Sequence, residues 1–474
     1  MFSINPFSSS FFQLYILQLD EYDIFRYLGK ILKVKRGNKQ IKPLVWTNKA
    51  KIIYSLSLLQ ILLLSFLIAN FNLLVFSIVL FFGLQLFFIP LTLSIIVFYP
   101  ADYISKKIII SRAKAKISNL KDLKIIAIAG SYGKTTFKEI LFTILSEKYR
   151  VLKTPESINT PLGISRLILS TLSDDYDIFI VEMGEYYKGD IKKLCKITIP
   201  DISVVTGINE AHFERLKALD TTVSTIFEVV ENSKENASIV LNIADKLVRE
   251  NYKKYTDNKE IIFYGDDIKT GLFTTDIKFN TDNLTLDFRL YEDKSFIDSF
   301  SIPLLAKYVI DDIIGAVQIA LKLGISWPFI KQGIRKIKSI PHRLEPKFDK
   351  SKNTIYIDDT YNANPQGVKE AIEVLAKFKN RRKIYITPGM AETGKANRKI
   401  HMDIANHLSK VVDLIVLVDT SSSRFIKEGL RKNNFPDDKI KIYNHQQDVY
   451  DDLNHWTESG DVVLFQNIWP ENYV

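Results

Sequence analysis

A chain of 474 residues is long enough for two to four domains, and its formal charge of +10 raises nucleic acid as a partner. The placement of that charge argues against it: eight basic and no acidic residues run from Lys30 to Lys51, just before a long uncharged stretch. Lys106, Lys107, Arg112, Lys114, Lys116 and Lys121 follow that stretch, so the excess flanks apolar chain, as anionic headgroups favour. One cysteine, Cys195, excludes an internal disulfide framework and suits a reducing compartment.

In chain order, residues 11–19 (FFQLYILQL) read as a short interfacial helix. Residues 52–101 carry no charge at all. At about 20 residues per crossing, that length allows two membrane helices and a tight turn at Asn70 and Asn72. Pro90 is tolerable inside such a helix. The stretch begins too late and runs too long for a cleaved signal peptide. Basic flanks on both sides predict a two-pass protein of the cytoplasmic membrane, with both termini and everything after the hairpin in the cytoplasm.

From Lys121 the pattern turns to alternating strand and helix. Strands are predicted at LKIIAIAG, DIFIVEMG, DISVVTGI and ASIVLNIAD, with a helix over TTFKEILFTILSEKY. Short apolar runs without strict alternation suit parallel strands covered on both faces. Segment 257–305 alternates more and predicts antiparallel strands added to this domain. TIYIDDTYNANP opens a second series, continued by RRKIYITPGM, VVDLIVLVD, KIKIYNH and GDVVLF. The fold class is α/β, with segments 1–51 (basic), 52–101 (hairpin), 102–340 and 341–474 (two α/β domains).

The chemistry starts at IIAIAGSYGKTTFKEILFTI, residues 125–144. Gly130 and Gly133 let successive amides face one anion, Lys134 supplies a point charge, and the helix start adds unsatisfied amides. The Thr135 hydroxyl suits the shell of a Mg²⁺ ion beside the phosphates, with Thr136 next to it. A full Walker pattern needs glycine at position 128, where this chain has Ile128, so that signature fails; strand, glycine turn, Lys-Thr and helix in order still predict a phosphate site, with a plain tight turn as the alternative. Glu182 stands at a strand end, where parallel sheets place ligand groups, or else caps a helix. His212 is either a ligand to a divalent ion or γ-phosphate, or a satisfied structural histidine. Asn242 is placed to hydrogen-bond an adenine edge. DDTYNANP is either an Asx-rich turn or a polar binding loop.

Taken together, these stretches resemble the Mur ligase superfamily of ATP-dependent amide-bond-forming enzymes, over residues 122–470. The resemblance implies a hairpin followed by a P-loop Mur-ligase central domain and a Rossmann-like C-terminal domain. In that family GSYGKTT wraps the ATP phosphates, which implies nucleotide contacts from Gly130, Ser131, Gly133, Lys134, Thr135 and Thr136. It implies Mg²⁺ on Thr135 and Glu182, and a second metal near His212 in TGINEAH. Asn242 falls on the adenine-side NIAD pattern, Arg343 of PHRLE on a nucleotide contact, and Asp359 on the ribose. TPESINTPLG resembles the substrate-side loop, which implies Asn159 and Thr160, and DDTYNANP implies Asn362 and Asn364. Lys134, Glu182 and His212 would then carry catalysis.

The implied reaction moves the γ-phosphoryl group of ATP onto a carboxylate, after which an amine displaces phosphate. Implied partners are ATP, Mg²⁺, a carboxylate-bearing envelope precursor (soluble or lipid-linked), an amino acid or dipeptide, and the bilayer. No nucleic acid is implied, and the catalytic unit is monomeric. The alternatives are a poly-γ-glutamate-type ligase and a non-catalytic nucleotide-sensing scaffold. Three positions depart from the family: Ile226 stands where a carbamate-bearing lysine is usual, Gly207 where asparagine is usual, and FQNIW replaces Lys-Gly-Ser after GDVVL. The family's separate UDP-sugar domain is not recognisable ahead of the hairpin, which leads to the expectation of a membrane-proximal donor.

Overall fold

The computed structural model describes residues 6–19, 22–31, 44–69, 72–156, 158–185, 187–209, 219–265, 271–361, 364–390 and 393–467. Two compact units, Met1–Ile109 and Ile110–Val474, make up the chain.

In the first unit, helix Pro6–Leu19 is followed by Ile24–Ile31, Asn48–Ala69, Leu73–Gln85 and the start of Phe88–Asn119, which continues past Ile109. Two of these, Asn48–Ala69 and Phe88–Asn119, are long and apolar enough to cross a membrane. The apolar stretch thus holds three helices, not two, because the second predicted helix breaks at Leu86 and Phe87. The break has a backbone reason. Pro90 falls in the first turn of Phe88–Asn119, where its missing N–H leaves no helical bond unmade. Asn72 caps Leu73–Gln85 by accepting from the amides of Leu74 and Val75 at 3.1 and 3.2 Å.

Outward positions such as Leu63, Phe66, Leu67, Leu74 and Val97 are exposed apolar side chains. Inward positions pair polar groups instead. Ser57 and Ser94 hydroxyls lie 2.9 Å apart, and the Gln60 amide donates to Ser94 at 3.1 Å. The segment predicted as an interfacial helix is packed, with Leu14 and Leu17 buried in the cluster that holds Ile53, Leu84 and Phe87. At the charged end, the Lys49 ammonium lies 3.0 Å from Asp102, which also pairs with Lys106 at 2.7 Å.

Among the described residues, the second unit holds two six-stranded sheets and a three-stranded one. The first sheet runs β2-β3-β1-β4-β5-β6, where β1 is Lys124–Ala129, β2 Val151–Lys153, β3 Ile178–Glu182, β4 Ile202–Val205, β5 Ser238–Asn242 and β6 Glu260–Tyr264. All its neighbours are parallel. In β1, Ile126 and Ile128 face a core with Phe137, Ile140 and Ile144, while Ile125, Ala127 and Ala129 face one with Ile164, Ile168 and Ile226. Burial on both faces explains the unbroken apolar runs.

Segment 257–305 divides. Its first strand is β6, an edge of the parallel sheet; β7 (Leu272–Asn280), β8 (Thr285–Glu292) and β9 (Ser295–Ile302) form the separate antiparallel sheet. The last sheet runs β10-β11-β15-β12-β13-β14, with β10 Glu345–Asp349, β11 Thr354–Asp359, β12 Lys383–Thr387, β13 Leu414–Val418, β14 Ile440–Tyr443 and β15 Val462–Gln466. Only β10 is antiparallel to its neighbour.

Candidate active site

Strand β1 lies between β3 and β4, so the chain reverses its winding at the carboxyl end of β1, where open α/β sheets leave a crevice for ligands. The phosphate-type turn occupies that crevice. Gly130 has φ +151° and Gly133 φ +80°. A Cβ on Gly130 would lie 2.2 Å from Thr206 Oγ1, so the turn closes against β4 only with glycine there. The Ser131 amide donates to the Gly207 carbonyl at 2.7 Å, and Thr206 Oγ1 donates to the Tyr132 carbonyl at 2.5 Å. The helix Lys134–Leu145 starts after Gly133 with no side-chain cap, leaving first-turn amides for an anion.

Three predicted residues come together here. Lys134 Nζ donates to both oxygens of Glu185 at 3.0 Å and to the Gly130 carbonyl. Thr135 Oγ1 donates to Glu182 Oε2 at 3.0 Å. A hydroxyl and a carboxylate side by side are the hard oxygen donors Mg²⁺ takes, and the glycine turn admits phosphate beside them, so the residues present fit Mg-ATP. Thr136 is buried, one residue further along the same helix.

The neighbouring strand ends hold the next group. At the end of β5, Asn242 Oδ1 accepts the Ala244 amide at 3.1 Å. Asp245, the last residue of NIAD, accepts the Tyr132 hydroxyl at 2.7 Å and the Ile208 amide at 3.2 Å, and caps the following helix through Val248 at 2.8 Å. Thr160 caps helix Pro161–Ser170 by accepting from Gly163, and the Asn159 carbonyl accepts the Gly184 amide at 3.0 Å, beside the Glu182 strand end. Asn364 caps helix Pro365–Ala376 through Gln366 and Gly367 at 3.1 and 3.0 Å. His212 and Asn362 lie outside the described residues.

Arg343 and Asp359 form a second group, at the end of β11. Asp359 accepts the Gln466 amide at 2.7 Å and the Leu344 amide at 3.2 Å, and the Arg343 guanidinium stacks over the Tyr361 ring at 4.4 Å. Burial pushes the Asp359 carboxyl up to about 6, against the hydrogen bond from Gln466 and the charge of Arg343. Glu370 is pushed up to about 7, chiefly by burial, with the Gln366 hydrogen bond lowering it and Glu373, Asp359 and Asp311 adding repulsion. A carboxyl raised in the folded state stabilises below its unfolded value near 4.5, and that contribution is lost as pH rises through about 7. Glu370→Gln is therefore expected to gain stability over the parent at pH 8 and not at pH 4, read by urea unfolding at both. An equal difference at the two pH values would refute the burial argument.

Two of the departures have structural reasons. Ile226 is fully buried in the core with Ile164, Ile168 and Val205, and Glu228 accepts the Gly189 and Lys192 amides at 2.8 and 2.9 Å, closing the start of helix Asp190–Cys195. A Cβ on Gly207 would lie 2.3 Å from Tyr132 Cζ, so the aromatic ring fills the space an asparagine would need. In FQNIW, Gln466 holds Asp359, and the Asn467 amide donates to the Gly389 carbonyl at 2.7 Å.

Sequence reading missed Lys138, Glu185 and the Tyr132–Asp245 pair. Lys138 carries no local signal, because its partner Glu182 stands 44 residues further along the chain.

Comparison with known proteins finds relatives of both α/β domains. Residues 128–320 match the Mur ligase middle domain, and residues 342–466 match the Mur ligase glutamate ligase domain. The chain is 26% identical over 355 residues to the UDP-N-acetylmuramoyl-tripeptide–D-alanyl-D-alanine ligase of Bacillus subtilis, covering 75% of each. It is 26% identical over 281 residues to the Escherichia coli enzyme of the same name, covering 59% of this chain and 61% of that one. The MurF ligase of Thermotoga maritima, crystallised with ADP, superposes with a TM-score of 0.66 at 25% identity, over 76% of this chain and 80% of that one. With both domains matched in order, and the phosphate turn, Thr135 and Glu182 brought together at the switch point of the first sheet, this chain belongs to the Mur ligase family of ATP-dependent ligases.

Proposed function

We propose that the chain is a membrane-tethered ligase that joins an amine to a carboxylate of a peptidoglycan or related envelope precursor at the cytoplasmic face. The observation that carries it is the pairing of a Lys134–Thr135–Glu182 site with two apolar helices long enough to span a bilayer. The Lys49–Asp102 ion pair supports a two-pass hairpin whose charged ends share one side. The segments are 1–51, 52–101, 102–340 for the central domain and 341–474 for the C-terminal one.

Lys134 and the first-turn amides bind and orient the phosphates of ATP; Arg343, Asp359 and Asn242 hold its nucleoside end. Thr135, Glu182 and His212 would hold Mg²⁺, which neutralises charge on the transferred phosphoryl group. The donor carboxylate takes the γ-phosphoryl as a P–O bond to ADP breaks. The amine nitrogen then attacks the acyl carbon, the C–O bond to phosphate breaks, and the amine proton leaves to solvent. Asn159, Thr160, Asn362 and Asn364 would contact the donor and the amine.

The relatives' names point to a UDP-N-acetylmuramoyl-tripeptide donor and a D-alanyl-D-alanine acceptor. The hairpin favours a lipid-linked form of that donor, held where the enzyme is. Mass spectrometry of products after incubation with ATP, D-alanyl-D-alanine, mixed amino acids and either UDP-linked or lipid-linked peptide is expected to show faster ligation of the lipid-linked one. A clear preference for the soluble donor would overturn the tethered-substrate reading. A nucleotide-sensing scaffold is the second reading, favoured by the full burial of Ile226; ATP binding without phosphate release across the whole panel would establish it.

A further inference from the structure

Lys138 is a lysine in a place where the helix is otherwise core. Phe137, Ile140, Leu141 and Ile144 around it are buried, and its own side chain is 0% exposed. An ion pair in such a position is often no more stabilising than apolar packing, so burial by itself gives no reason for a charge there. Its contacts do. Lys138 Nζ donates to Glu182 Oε2 at 2.9 Å and to the Glu156 carbonyl at 2.6 Å. Glu182, 3% exposed on its side chain, receives Thr135 on the same oxygen at 3.0 Å, and the Thr154 hydroxyl accepts its backbone amide at 3.0 Å. Glu156 has φ +42°, an unfavourable conformation for a non-glycine residue, and lies in the TPESINTPLG loop that carries Asn159 and Thr160. One ammonium therefore ties the phosphate-turn helix, the Glu182 carboxylate and the strained loop together.

We propose that Lys138 is a positioning residue, whose ammonium sets how Glu182 meets the divalent ion and locks the 154–163 loop to that carboxylate. The proposal rests on the Mg-nucleotide reading of the turn. Lys134 and Lys138 divide the work: the first faces the crevice with Glu185, and the second acts from behind, through Glu182.

The test is calorimetric titration of the detergent-solubilised full chain with ADP, with and without saturating Mg²⁺. In Lys138→Met the Mg²⁺-dependent gain in ADP affinity is expected to fall about tenfold or more, the usual scale for losing a group that orients a metal ligand, while metal-free ADP affinity stays within about twofold. Lys138→Arg, which keeps the charge, is expected to recover most of the gain. In a Glu182→Gln background, Lys138→Met is expected to change the gain no further, because the two act as one unit. An unchanged gain in Lys138→Met, or an independent loss in the Glu182→Gln background, overturns the proposal. If Lys138→Met binds no ADP even without metal, Lys138→Arg decides: retention of the gain supports the role and its loss overturns it. A parent protein that binds no ADP would instead overturn the nucleotide reading beneath it.

Discussion

Replacing Lys134 by alanine is expected to lower ATP-dependent phosphate release about a thousandfold, the scale seen when a preorganised charge-stabilising group is lost from a site. The effect is large because the turn offers one flexible cation and otherwise only backbone dipoles. Gly130, Ser131 and Gly133 shape the cradle, but none carries charge. The variant also takes away the ammonium 3.0 Å from Glu185, 1% exposed, and removing a cation from beside a buried carboxylate destabilises by itself. Lys134→Ala combined with Glu185→Gln separates the two effects. The pair is expected to regain thermal stability and to stay inactive. Turnover in Lys134→Ala equal to the parent would remove the ligase reading of the turn.

The second large effect runs against intuition. Restoring the residue usual in the family, by Gly207→Asn, is expected to weaken ADP binding roughly 10- to 100-fold, not to improve the site. A Cβ there would lie 2.3 Å from Tyr132 Cζ and 2.7 Å from its hydroxyl oxygen, so the ring has to leave. Leaving breaks the 2.7 Å bond from that hydroxyl to Asp245, a hydrogen bond to a charged group worth about 1.5–3 kcal/mol. Tyr132 sits inside the turn, so its displacement misplaces the amides on either side. Gly207→Asn with Tyr132→Ala removes the collision and is expected to bind ADP more tightly than Gly207→Asn alone. Calorimetry on the two variants checks this, and equal affinities would show that the ring is not the obstacle.

These two cases mark what was legible in the sequence. The strands that end at or just before Gly130, Glu182, Thr206 and Asn242 were readable because each is a short apolar run ending in polar or glycine-rich turns, and parallel pairing puts those ends on one edge. The site trio of Lys134, Thr135 and Glu182 followed. Strand β2 escaped because it is three residues long and only half-buried, and β10 because Lys347 and Pro346 hide its alternation. The break at Leu86–Phe87 escaped for a different reason: in a stretch apolar on every face, no periodic contrast marks where one helix ends. Lys138 reads as a solvated helix lysine until the end of β3 is placed against it. Gly207 reads as a lost side chain until Tyr132 is seen in its space. In both cases the missing information is a contact between segments more than forty residues apart.

The grip of Glu185 on Lys134 has a consequence for selectivity. Both carboxylate oxygens engage the ammonium at 3.0 Å, so an arriving anion competes with a partner already in place. Chloride, acetate or a single phosphate gains little from that exchange. A polyphosphate spreads over the lysine and the helix-start amides together, and so recovers more than it displaces. Charge density and reach therefore favour an anion at this lysine more than concentration alone does.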